Sequence, residues 1–231
     1  MSNVINKHRS LGLRSVVSKL VKKGDTVLDL GRMSTLTAPL FLQRHCRCFI
    51  EDLNEYVDEL HVNNENPTEQ LSDFLLDKPP GTTFDIILCW DLFNFLSLEL
   101  ISHLMLLLKP YLKPGTVLHT IRYIGGTTPA LPRHYKHIDD FNFEVKDPKP
   151  NPNTCNSLIP QAHTTIMLLR CLPEFSLYDT ALNQEGMMKD AAEYLLEYDS
   201  LDKNKKVKKG LNSQDVSSYF TQNSEETSLD F

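Results

Sequence analysis

The stretch KKGDTVLDLGRMST, residues 22–35, decides how the rest of the chain is read. Thr26 to Leu30 (TVLDL) is a run of β-favouring residues bounded by Gly24 and Gly31, which predicts a short strand. Before it, Leu13, Val16, Val17, Leu20 and Val21 recur on one face of a helix over Leu11 to Lys23, closed by Gly24. After it, Ser34 is a capping residue for a helix running to about Arg44, with Pro39 an irregularity in it. A strand that ends in an acid and turns through glycine into a helix opens an α/β unit.

The same alternation continues outward. Arg47 to Glu51 predicts a second strand and Asn54 to Leu60 a short helix. His61 to Thr83 is polar, with a weak element near Leu71 to Leu76. Phe84 to Cys89 is a nearly continuous apolar strand, the pattern of a strand buried on both faces of a parallel sheet. Ser97 to Leu108 predicts a helix and Thr116 to Ile121 a further strand, so the fold class is α/β, a doubly wound, mostly parallel sheet. His163 to Leu172 predicts a helix; Ser176 to Leu182 and Ala192 to Tyr198 predict an antiparallel strand pair. Residues 125–160, rich in proline, Asn and Asp, are expected to be a loop or lid insertion too polar for core. One domain is expected over residues 1–199. From 200 to 231 a disordered polar tail is expected, whose KNKKVKKG run is either solvated or set against an acidic partner.

Composition limits the function classes. The 231 residues are 41% hydrophobic and 23% charged, with a formal net charge of -6, which disfavours non-specific nucleic-acid binding. The five cysteines are an odd number, and three lie in apolar runs, which fits a reducing compartment. The first residues lack the pattern of a secretory signal, and no window approaches the roughly 20 apolar residues of a membrane span. The expectation is a cytoplasmic protein without membrane contact.

Ligands of a doubly wound sheet bind outside the carboxyl ends of its strands, where strand order reverses. Asp29 and Gly31 stand at that place on the first strand, Gly31 letting the backbone pass close to a ligand. The alternative for Asp29 is to brace the turn. Glu51 and Asp52 end the second strand, where a carboxylate can accept both hydroxyls of a ribose; the choice between them is open. Asp91, after the fourth strand, is either a base or the N-cap of the following helix. Trp90 and Phe93 either line an apolar pocket or pack a loop. Cys46 and Cys48 share one side of a strand without the second pair that a zinc site needs. His134, His137, Asp139 and Asp140 gather near Tyr135 in the 125–160 segment as a weak metal or acid–base set.

In order and distance, KKGDTVLDLG, FIEDLN, FDIILCWDLFNFL and LKPGTVLHTI resemble the class I S-adenosylmethionine-dependent methyltransferases, over roughly residues 11 to 122 and to about 198 if the last strand pair is included. The resemblance implies a seven-stranded sheet of order 3-2-1-4-5-7-6 with an antiparallel last strand, and S-adenosylmethionine over the ends of the first two strands. It implies that Asp29, Gly31, Ser34, Asp52 or else Glu51, Asp73, Cys89 and Trp90 face the cofactor, with Asp91 as the catalytic candidate. Where the family alternates three glycines, this chain has Gly31, Met33 and Thr35. The absence of an Asn-Pro-Pro-aromatic motif after the fourth strand disfavours amide and base-amino nitrogen substrates. Two functions follow from the resemblance: methyl transfer to a small molecule or an exposed protein side chain, or an inactive scaffold serving as a binding or regulatory module for a protein partner. A nucleotide-binding oxidoreductase is disfavoured, because GRMST lacks the glycines a pyrophosphate needs.

Overall fold

The run from Phe84 to Trp90 has almost no polar face because it has no solvent-facing side. Strand β4 (Ile86–Trp90) is buried at every residue. It lies inside a six-stranded sheet with β2 (Thr26–Asp29), β3 (Arg47–Ile50), β5 (Val117–Tyr123), β8 (Phe175–Leu182) and β9 (Ala191–Tyr198), in the order β3-β2-β4-β5-β9-β8. The first four strands of that order are parallel, and β9 runs antiparallel to both β5 and β8. The computed structural model describes residues 6–31, 38–59, 66–75, 77–124, 128–139, 141–147 and 163–199, all within the unit Met1–Ser200. Ser34, Met33, Thr35 and the expected tail lie outside the described residues.

The α/β doubly wound class is as read from the sequence, including the antiparallel final pair. The strand count differs. Among the described residues nothing pairs with the outer edge of β3, so the outermost of the seven expected strands is not found. Leu71 instead lies in a helix, α4 (Pro67–Phe74), where it is fully buried beside Tyr56 of α3 (Leu53–Glu59).

Period-two alternation sends the side chains of the sheet to two cores. Ile87, Cys89, Leu118 and Leu196 join one core with α3, α4, α5 (Leu98–Leu108) and α6 (Thr165–Cys171). Each large apolar side chain so buried contributes about 1.5–3 kcal/mol. Helix α5 begins as predicted, with the Ser97 hydroxyl accepting from Leu100 N–H at 3.2 Å.

Ile86, Leu88, Trp90, Val117 and Leu195 face the other core. That side is covered by α1 (Leu11–Ser15), its π-turn continuation Val16–Leu20, α2 (Ala38–Leu42) and a second, small sheet. Here the loop expectation for residues 125–160 is corrected. β6 (His134–Asp139) and β7 (Asn142–Lys146) form an antiparallel hairpin, and β1 (Asn6–Arg9) pairs with β7. Tyr135, Phe143 and Val145 put their side chains into the core, an alternation that the surrounding prolines mask in composition.

A buried carboxylate ties the small sheet to the large one. Glu193 of β9 accepts hydrogen bonds from His8 Nε2 at 2.8 Å and from the Gly12 backbone N–H of α1. His8 Nδ1 accepts from Met188 N–H at 3.2 Å, which leaves Nε2 as the protonated ring nitrogen. Burial works to raise the Glu193 carboxyl, but the neighbouring His119 and His8 more than reverse it and hold the group well below the usual carboxylate range.

Gly12 is required by this contact, since a Cβ there would lie 2.8 Å from Glu193 Oε2 and 3.1 Å from His119 Cδ2. Gly12→Ala improves helix propensity by about 1 kcal/mol, while overpacking against a carboxylate already locked in place costs about 1–3 kcal/mol. The expected net effect in urea unfolding is a loss of stability; a more stable Gly12→Ala protein would show that Glu193 yields freely.

Candidate functional site

β2 and β4 are neighbours, yet the chain leaving β2 returns on one side as β3 and the chain leaving β4 returns on the other as β5. Their carboxyl ends therefore flank the crevice in which such sheets bind ligands. In this protein that crevice is bridged by its own side chains. Trp90, the last residue of β4, donates from Nε1 to Asp29 Oδ1, the last residue of β2, at 2.7 Å. The same Asp29 oxygen accepts from Gly31 N–H at 3.0 Å.

Local backbone geometry aims the indole. The pairing of β4 with β5 shifts between Leu88 and Trp90, and Trp90 has φ 48°, in the left-handed region. A bulky residue there costs about 1–3 kcal/mol, and bulges at strand ends characteristically re-aim a side chain. The strain is offset by the Asp29 bond, by stacking on Tyr135 with ring centroids 5.2 Å apart at 23°, and by an edge contact with Phe143 at 5.6 Å. The Trp90 backbone carbonyl also accepts from Thr120 Oγ1 at 3.0 Å.

Gly31 is the floor under the indole. A Cβ at Gly31 would collide with Trp90 Cδ1 and lie 2.8 Å from Nε1 and 3.0 Å from Cγ. The close approach that the sequence assigns to a ligand is made by Trp90 itself. Burial pushes the Asp29 carboxyl up to about 6, against the lowering effect of the Trp90 and Gly31 hydrogen bonds.

Asp91, next in the chain, is fully buried and does not act as a side-chain cap for the turn Leu92–Asn94 that follows it. Its Oδ2 accepts from Tyr123 Oη at 2.7 Å and from the Arg133 backbone N–H at 2.9 Å, while Oδ1 has no hydrogen-bond partner. Burial pushes its carboxyl up to about 6 as well, the two hydrogen bonds opposing. The Arg133 guanidinium lies 4.9 Å over the Tyr123 ring, and Tyr123 and Tyr135 hydroxyls are 3.3 Å apart.

The other predicted residues are dispersed. Glu51 is buried in an ion pair with Lys78, itself buried. Asp52 is half-buried and its charge acts on Asp29. Asp73 is exposed on α4. Cys89 is buried in the helix-covered core and does not face the crevice. Phe93 is core. Cys46 and Cys48 are free thiols, Asp139 accepts from Asn142, and His137 packs edge-on to Phe143. Among the described residues, no three His, Cys, Asp or Glu side chains are placed to hold a metal. Sequence reasoning missed Tyr123 and Arg133, which bond Asp91, and the role of Tyr135, which joins them through the Tyr123 hydroxyl, because these partners are distant from Asp91 in the chain; only the alternation of Tyr135 with His137 could have marked one of them.

A nucleoside cofactor needs bare backbone at Gly31 and an unpaired acid at the end of β3. Gly31 is covered by Trp90 and Glu51 is paired with Lys78, while Asp52 at the same strand end is half-buried. With the indole in this position the backbone at Gly31 is not open to a nucleoside cofactor.

The six strands match the expected order 3-2-1-4-5-7-6 without its outermost member. The fold is that of the class I methyltransferases. No family model matches this sequence, and no curated protein matches it. Solved structures similar to this methyltransferase-fold chain include an S-adenosylmethionine-dependent methyltransferase from Clostridium acetobutylicum ATCC 824, at 11% identity over 82% of this chain and 89% of that one, TM-score 0.45. The N-methyltransferase NodS from Bradyrhizobium japonicum WM9 is 10% identical over 82% and 96%, TM-score 0.45. The glycopeptide N-methyltransferase MtfA, complexed with S-adenosylmethionine, is 15% identical over 82% and 86%, TM-score 0.44. Overlaps this loose say nothing of chemistry, and the strand order alone assigns the fold. No helix among the described residues is long and apolar enough to cross a membrane.

The raised Asp91 carboxyl has a stability consequence. Unfolded, it ionises near 4; folded, near 6, so the folded state binds the extra proton and stability rises as pH falls from about 6 to 4. Asp91→Asn keeps an acceptor for Tyr123 and Arg133 without the buried charge. In urea unfolding at about pH 7.5 the variant is expected to be more stable by on the order of 2 kcal/mol, with the gap narrowing below about pH 6 and closing towards about pH 4.

Proposed function

We propose that this chain is a methyltransferase-fold protein that has given up catalysis and serves as a binding or regulatory module, its cofactor crevice closed by Trp90. The observation that carries this reading is the Trp90–Asp29 hydrogen bond across the switch point, with the indole seated on Gly31. Met33 and Thr35, which stand where the family has glycine, add to it. So does the pairing of Glu51 with Lys78, because a carboxylate already neutralised has little to offer a ribose. The free thiols Cys46, Cys48, Cys89 and Cys171 suit a reducing, cytoplasmic setting.

Two observations favour the other reading, a working S-adenosylmethionine-dependent methyltransferase for a small molecule or protein side chain. Asp52 and Asp91 keep carboxylates beside the crevice, and Trp90 sits in a strained backbone conformation of the kind that collects at functional sites. Under that reading the indole must leave Gly31 and break its bond to Asp29 before cofactor can enter.

Trp90 is the only tryptophan in the chain, so its fluorescence reports on the crevice directly. Titration with S-adenosylmethionine or S-adenosylhomocysteine to millimolar concentration is expected to leave the emission spectrum unchanged and to give no binding heat in calorimetry. A saturable red shift, as the buried indole moves towards water, would overturn the closed crevice and favour the methyltransferase reading.

A further inference from the structure

Beside the closed crevice, past the carboxyl end of β5, lies a cavity of about 360 Å³ lined by Lys7, Arg133, Met187, Met188, Lys189 and Asp190. Its volume falls at the lower end of the range for small-molecule sites, about 300–1,000 Å³. The walls are fixed by backbone and ring hydrogen bonds. Asp190 C=O accepts from Ile124 N–H at 2.8 Å, Met188 N–H donates to His8 Nδ1 at 3.2 Å, and Arg9 N–H donates to Gly186 C=O at 2.8 Å. The segment carrying Met187 to Asp190 is thereby held to the end of β5 on one side and to β1 on the other, so the cavity is set up in advance.

The lining is basic in a chain whose net charge is -6. Arg133 is 8% exposed, with Nε bonded to Asp147 at 2.7 Å and Nη1 lying 3.7 Å from Asp190 Oδ2, so its charge is partly balanced. Lys7 and Lys189 are exposed and form no ion pair among the described residues. Across β7 from Lys7, Glu144 is engaged instead by Lys146 at 2.9 Å. Two uncompensated ammonium groups therefore stand at a preformed cavity with a guanidinium in its wall. The buried side chains of Met187 and Met188 supply an adaptable apolar surface in the same place.

We infer that this cavity binds a small organic phosphate monoester, with its phosphate between Lys7, Lys189 and Arg133 and its apolar body against Met187 and Met188. A phosphate monoester carries close to two negative charges at neutral pH and matches the two free ammonium groups; a monocarboxylate leaves one of them unmatched. The inference does not rest on the closed crevice. The Trp90 titration can fail with this site intact, and this site can fail with the crevice still closed.

Phenyl phosphate is the probe, with benzoate as the carboxylate of similar body, and methyl-labelled methionines report position by NMR. The wild-type chain is expected to bind phenyl phosphate saturably, with shifts at the Met187 and Met188 methyls and affinity falling as salt rises. Benzoate is expected to bind at least about tenfold more weakly, or 1.4 kcal/mol. Lys7→Gln with Lys189→Gln, two changes at exposed unpaired side chains, should leave the melting temperature unchanged and weaken phenyl phosphate by a similar factor. Three results would each overturn the inference: no saturable binding at millimolar phenyl phosphate, benzoate binding equally well, or shifts that bypass Met187 and Met188 or persist unweakened in the double variant.

Discussion

The hydrogen bond from Trp90 to Asp29 is the constraint around which the upper half of the molecule is arranged. It joins the ends of two central strands at the place where a doubly wound sheet would otherwise be open. For the indole to reach Asp29, β4 must bulge before its end and Trp90 must adopt a positive φ. For the indole to fit, residue 31 must lack a side chain, and the far face of the ring needs a cover. That cover is Tyr135, presented by the β6–β7 hairpin. Bulge, glycine and hairpin are thus three answers to one packing problem.

The hairpin could not take that position unaided, because a small three-stranded sheet has little core of its own. Its attachment comes through Glu193, whose carboxylate is reached by His8 from β1 and by the Gly12 backbone from α1. A charge buried this deeply is stable only while every partner stays in place. The histidine on the small sheet and the acid on the large one therefore fix each other's position. Met188, hydrogen-bonded to the same histidine, extends the link to the turn between β8 and β9.

Most of the architecture was legible in the sequence, for a physical reason. Strands buried on both faces, such as Ile86–Trp90, must be continuously apolar, and the helices between them must show a one-sided stripe, so periodicity and order suffice. Leu71 was harder, because a short amphipathic segment among polar residues carries little periodic signal; it lies in a helix, and among the described residues the large sheet has six strands. The hairpin was hidden by the prolines and acids on either side of it, although Tyr135 with His137 and Phe143 with Val145 alternate as strands do. The candidate site was legible only in its coordinates along the chain. Asp29, Gly31, Trp90 and Asp91 meet as their strand-end positions require, but a sequence does not say whether a gap between strand ends is left empty or filled from within. Cys89 points into the helix-covered core for the related reason that proximity in the chain to a strand end does not fix the direction of a side chain.

The indole on Gly31 also bears on how this chain accepts mutation. In an open crevice, the alternating glycines of the turn are constrained together, because one ligand presses on all of them. Once a tryptophan supplied by the protein takes the place at Gly31, that shared constraint separates. Gly31 is answerable to the indole, whereas under the proposed reading positions 33 and 35, Met33 and Thr35 in this chain, are released from a ligand's demand. Reopening the crevice at Gly31 would require the tryptophan to withdraw. Under the proposed reading Trp90 acts as a pawl acts on a ratchet: while the indole stays on Gly31, changes elsewhere in the turn meet no ligand.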